Sequence, residues 1–115
     1  MGSALVLHPD GTITEISFKA GGDHLALMRE HIGCSLVDCV ALTSRIDMWI
    51  DEEGLYAQPV NLPATAFAAH HGFTWQSYHG PVILCSVDGE GDTVDLTAGQ
   101  LRALLTQLLD ATEAI

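Results

Sequence analysis

Between Ile46 and His71 the chain switches its hydrophobic period from two to about 3.6, and that switch limits the fold more than any other feature. Ile46, Met48 and Ile50 alternate with Asp47, Trp49 and Asp51, the pattern of a half-buried strand. Glu52-Glu53-Gly54 ends the alternation in an acidic turn. Gln58 precedes a proline, which favours extended backbone over Leu55 to Val60. Asn61 or Leu62 then starts a helix with Pro63 in its first turn, where a missing N–H costs nothing. The helix runs through Ala64 to His71 and stops at Gly72, with Phe73 placed to fold back on its last turn. A strand that passes into a helix through an acidic turn commits the chain to mixed α and β structure.

The flanking segments extend this reading. Ala4 to His8 reads as a strand, and His8-Pro9-Asp10-Gly11-Thr12 as a hairpin turn into a second strand, Thr12 to Phe18. Ala20-Gly21-Gly22 breaks that pattern, Asp23 caps a helix from His24 to Ile32, and Gly33 stops it. Leu36 to Leu42 is a nearly continuous apolar run, the mark of a strand buried on both faces. Within it, Asp38 would be a core carboxylate in need of a partner, and Cys39 a small core residue. Val82 to Val87 is a second buried strand that also takes in Cys85, and Asp88 to Asp92 an exposed turn. Thr97 and Gln100 match a capping box, and Leu96 with Leu101 a hydrophobic staple. Leu101, Leu104, Leu105, Leu108 and Leu109 form the apolar stripe of a last helix. The predicted architecture is one α+β domain over residues 1–115. Its order is β-β-α-β-β-α-β-α, giving a single mostly antiparallel sheet of about five strands with three helices covering one face.

Charge narrows the function classes. Fifteen acids against Lys19, Arg29, Arg45 and Arg102 leave a net charge of −11. That balance repels phosphate backbones and anionic membranes, so neither nucleic acid nor membrane is an expected direct partner. A basic protein partner, cations or plain solubility remain open. Three cysteines without framework spacing point to reduced thiols, and no charged start precedes a long apolar run. The expected location is the cytoplasm.

Candidate chemistry fails residue by residue. His24, His31, Cys34, Cys39, His70, His71 and His79 are of metal-ligand type, but structural zinc uses close ligand pairs at tight turns, and these residues are scattered. Asp88-Gly89-Glu90-Gly91-Asp92 begins like a calcium loop, yet Thr93 and Gly99 stand where glycine and a bidentate glutamate are needed. Cys34 near His31 follows the negative end of a helix, which does not favour a thiolate. Gly21-Gly22 lacks the rest of a phosphate-binding fingerprint, and Asp23 beside it repels phosphate. No metal, no cofactor and no catalytic residue is therefore assigned.

Asp51-Glu52-Glu53-Gly54-Leu55 after its apolar strand, then Pro59-Val60-Asn61, Ala64-Thr65 and Gly80-Pro81-Val82, resembles an uncharacterised family of small proteins. Its members occur in actinobacteria, phages and mobile elements. The resemblance covers Leu25 to Val87, and it is partial at Ile32-Gly33-Cys34, where the family often has Gly-Gly. It implies a small accessory protein linked to mobile DNA, with no activity or catalytic residue to carry over.

Two functions follow. The leading expectation is a regulator that binds a basic protein through Asp47, Trp49, Asp51, Glu52 and Glu53, because tryptophan among acids suits a contact patch. A mimic of nucleic acid is a narrower form of it. The alternative is a small ligand-binding protein or enzyme with a pocket between the second helix and the sheet, lined by Asn61, Trp75, Tyr78 and His79. Self-association is left open.

Overall fold

A computed structural model describes residues 4–17, 24–54 and 58–113. The predicted cap at Asp23, the break at Gly21-Gly22, the end of the second strand at Phe18 and the first half of the extended stretch Leu55 to Val60 lie outside them.

The elements are β1 (Ala4–Leu7), β2 (Ile13–Ile16), α1 (His24–Ile32), β3 (Val37–Ala41), β4 (Ile46–Asp51), α2 (Leu62–His70), β5 (Val82–Val87), β6 (Thr93–Val94) and α3 (Ala98–Glu113). The expected α+β order holds, with the two-residue β6 added. The strands run β2-β1-β5-β4-β3, every pairing antiparallel, and β6 pairs the far end of β5. The last full strand in sequence thus sits between the two hairpins. Its composition demands this place: Val82 to Ser86 are all buried, which only a central strand covered on both faces allows.

The helices divide between the faces, which corrects the expectation that they cover one. On one face α2 and α3 bury Ala64, Phe67, Ala68, Leu104, Leu108 and Ala111 against Leu5, Leu7, Met48, Val82 and Leu84. On the other, α1 buries Met28 and Ile32 against Ala4, Val6, Ile83 and Cys85. Periodicity shows which stripe of a helix is apolar, but not which face of a sheet it will meet.

Local chemistry explains the ends of the elements. Gly11 N–H donates to the His8 carbonyl and His8 N–H to Thr12, closing the first hairpin. Thr97 N–H donates to Gln100 Oε1 at 2.9 Å and Gln100 N–H to Thr97 Oγ1 at 3.1 Å, the reciprocal capping box read from sequence. At the end of α2, Phe73 N–H reaches Ala68 O and Gly72 N–H reaches Ala69 O, a Schellman turn that packs Phe73 on the core.

Two elements differ from the sequence reading. β3 is an edge strand, not a buried one: Asp38 and Cys39 are exposed, and Asp38 Oδ1 accepts from Cys39 N–H instead of needing a core partner. Cys85 is buried as expected. The stripe of α3 is narrower than five leucines, because Leu105 and Leu109 are exposed while Ala111 is buried.

Candidate functional site

The acidic turn and the segment before β5 meet at the end of β4. Asn61 makes that meeting possible. Its side chain is fully buried, and each polar atom is used. Nδ2 donates to Leu7 O at 3.0 Å and to Gly80 O at 2.8 Å, while Oδ1 accepts from Ala64 N–H at 2.9 Å. One side chain thus caps α2, holds the end of β1 and fixes the approach to β5. Thr65, one turn into α2, extends the frame: its hydroxyl donates to Asn61 O and accepts from Tyr78 N–H, both at 2.9 Å. Asn61 N–H closes the ring by donating to Tyr78 O at 2.7 Å.

Two glycines bring the walls together. A Cβ on Gly54 would sit 2.8 Å from the His79 carbonyl oxygen, a backbone atom with little room to move. Gly80 has φ +78, and a Cβ there would lie 2.5 Å from the Gln58 side chain. Gln58 in turn donates from Nε2 to Asp51 Oδ2 at 2.7 Å. Asp51 Oδ1 accepts from Glu53 N–H at 2.9 Å. The Asp51 carboxylate is therefore held from both sides. Gly54→Ala is expected to cost about 1–3 kcal/mol, the usual range for overpacking, and to lower the melting temperature measured by circular dichroism.

What results is an open cleft of about 390 Å³ lined by Ile50, Asp51, Glu52, Gln76, Ser77, Tyr78 and His79. It joins residues from both functional expectations: Asp51 and Glu52 from the partner surface, Tyr78 and His79 from the ligand pocket. Glu53 is exposed beside it. His79 Nδ1 lies 3.2 Å from Gln58 O, and a carbonyl can only accept, so Nδ1 carries the proton. In the neutral ring Nε2 is then the acceptor, 2.9 Å from the Ser77 hydroxyl that donates to it. Burial raises the Tyr78 phenol above its ordinary value, with Gln76 opposing, so it stays a neutral hydrogen-bonding group.

The remaining candidates lie elsewhere. Asn61 supports the cleft from beneath but does not line it. Trp75 is 70% exposed and its ring lies tilted beside Phe73, 5.1 Å between ring centroids, and it is not among the residues lining the cleft. Between α2 and the sheet, Ala64, Phe67 and Ala68 pack into the buried core among the described residues. Asp47 and Trp49 face the α1 side of the sheet. Trp49 is half-buried against that cluster, and its buried Nε1 has no hydrogen-bond partner among the described residues. A helix thus takes much of the tryptophan surface that a partner would need.

The thiols are tuned away from reactivity. Desolvation followed by the Asp47 carboxylate pushes the buried Cys85 thiol up to about 12. Burial followed by Asp51 also raises Cys34. A nucleophilic thiol needs the opposite shift. Among the described residues no three His, Cys, Asp or Glu side chains gather as a metal site would require. Asp88 Oδ1 instead accepts from Glu90 and Asp92 N–H, a self-contained turn.

Sequence reasoning missed Gln58, Thr65, Gln76 and Ser77. Thr74 to His79 has no hydrophobic period, so its role came only with the fold. The proximity of Gln58 to Pro59 and of Thr65 to the capping Asn61 was visible, but not what either side chain reaches.

A family model described as "Domain of unknown function (DUF3846)" matches residues 1–109. No curated protein and no solved structure matches.

Proposed function

We propose that this chain, which belongs to the DUF3846 family, is a binding module that takes a cationic side chain of a basic protein partner into the cleft beside its acidic turn. The observation that carries the reading is the convergence of Asp51 and Glu52 with Tyr78 and His79 around one opening. The chain's charge of −11 draws a basic partner from a distance and raises the association rate. The cleft then supplies the specificity. Asp51 is already oriented by Glu53 N–H and Gln58 Nε2, so little ordering is needed when a cation arrives. Ile50 and Tyr78 form the buried floor of the cleft, and the carboxylates at its mouth meet the cationic head of a long side chain. Arginine suits these acceptors better than lysine, because its planar fork pairs two of them at once.

The test is a titration with a short arginine-bearing peptide, followed by fluorescence anisotropy at rising salt. Saturable binding that weakens with salt, and that disappears when arginine is replaced by neutral citrulline, is the expected result. Equal binding of the citrulline peptide removes the reading.

A second reading draws on the Ser77 hydroxyl, 2.9 Å from a histidine nitrogen whose tautomer is fixed by a carbonyl. That geometry fits a nucleophile and its base in acyl transfer. Ser77 Oγ would attack an ester carbonyl as His79 Nε2 takes the proton and returns it to the leaving alcohol. Water would then release the acyl group from Ser77. Turnover of p-nitrophenyl acetate that is lost in both Ser77→Ala and His79→Ala supports it, and turnover no faster than buffer rejects it.

A further inference from the structure

The opposite end of β4 carries a second opening of a different character. A pocket of about 190 Å³ lies between the turn joining β3 to β4, the end of α2 and the first half of α3. Its walls include Arg45, Ile46, His71, Ala103, Leu104 and Gln107. At about 30 Å³ for each water in the liquid, it has room for a small molecule and not for a peptide segment. Ile46 and Leu104 belong to the buried core, so the floor is apolar.

Arg45 sets the chemistry of the rim. It is one of four Lys and Arg residues against fifteen acids, yet its guanidinium makes no ion pair or side-chain hydrogen bond among the described residues. The turn that presents it is fixed, since Thr43 Oγ1 accepts from Arg45 N–H at 3.1 Å and from Ile46 N–H at 3.0 Å. The facing wall is fixed as well. His71 packs edge-on against Phe67, with ring centroids 4.9 Å apart, and its Nε2 lies 3.0 Å from Gln107 Oε1.

We propose that this pocket binds a small amphipathic carboxylate, with its apolar tail on Ile46, Ala103 and Leu104 and its carboxylate on Arg45. An apolar floor with one guanidinium at the rim is the usual division of labour in a small-ligand site, where apolar contact gives affinity and one placed polar group fixes orientation. A bare phosphate gains nothing from the floor, and a neutral hydrocarbon gains nothing from Arg45. The site is independent of the acidic cleft, so either proposal can fail alone.

Sodium hexanoate, hexan-1-ol and sodium phosphate, each titrated into the full ¹⁵N-labelled chain, test it. Hexanoate is expected to shift the amides of Arg45, Ile46, Ala103 and Leu104 saturably. Arg45→Gln is expected to weaken hexanoate about tenfold or more, the loss of one charge-assisted contact, while leaving hexan-1-ol unchanged. Ala103 is exposed, so Ala103→Leu fills the pocket at little cost to the fold and is expected to remove binding of both. No saturable hexanoate shift, equal shifts with phosphate, or unchanged affinity in Arg45→Gln would each overturn the proposal.

Discussion

Asn61→Ala is expected to lower the unfolding free energy by about 3 kcal/mol or more, the largest single-residue effect around the cleft. The side chain is fully buried and makes three hydrogen bonds to three separate segments: β1, α2 and the loop before β5. Losing the helix cap costs about 1 kcal/mol. Leaving the Leu7 and Gly80 carbonyls without their donor adds about 1–3 kcal/mol for each group that finds no other partner. At about 4 °C per kcal/mol for a domain of this size, the melting temperature should fall by roughly 12 °C. Calorimetry checks it, and a fall of less than about 1 kcal/mol would mean that the network does not bear on stability.

Asn61→Asp separates the parts. The cap acceptor is kept, but an acceptor now faces two carbonyls in a buried site. Such a carboxyl is more easily protonated in the folded state than in the unfolded state, where its pKa is about 3.9. The variant is therefore most stable below that value and loses stability as pH rises above it. An Asn61→Asp protein whose stability rises with pH relative to the parent would contradict the assigned orientation of the amide.

The second large effect is on binding. Reversing Glu52 and Glu53 to lysine is expected to reduce affinity for an arginine-bearing peptide at least about tenfold, since each lost charge-assisted contact is worth about 1.5–3 kcal/mol when desolvated. Both residues are exposed and neither supports the turn through its side chain, so the fold should persist. A matched control settles whether the effect is local. Reversing Glu90 and Asp92, on the turn between β5 and β6, changes the net charge equally at a distance from the cleft. Global attraction predicts equal losses from the two pairs; a cleft predicts a much larger loss from Glu52 and Glu53.

Much of the fold was legible because local signals agreed with one another. The Pro9-Asp10-Gly11 turn, the alternation through β4 and the capping box at Thr97 each act within a few residues, and each appears as expected. The errors share one physical source, which is that neighbours across space leave no mark on local pattern. The apolar run through β3 read as doubly buried, but an edge strand that packs one face against α1 can carry the same residues. The leucine stripe of α3 outran the surface available to cover it. The site was half legible for the same reason. Asp51, Glu52, Tyr78 and His79 were named, but in two separate hypotheses, because residues so far apart in sequence meet only through the Asn61 and Thr65 network. Asn61 was given a place in a pocket because a polar residue near aromatics suits one, whereas its donors and acceptor are all spent on backbone. Gly54 and Gly80 were visible as turn residues. Their closeness to His79 and Gln58 was not.

The central claim is that the cleft beside Asp51 and Glu52 receives a cationic side chain. Amide shifts of the ¹⁵N-labelled chain, followed while an arginine-bearing peptide is added, test it most directly. The expected result is saturable shifts concentrated at Asp51, Glu52, Gln76, Ser77 and His79, shrinking as salt is raised and absent with the citrulline peptide. Shifts spread evenly over the acidic surface, or centred on Asp88 to Asp92 with residues 76–79 unmoved, would contradict it.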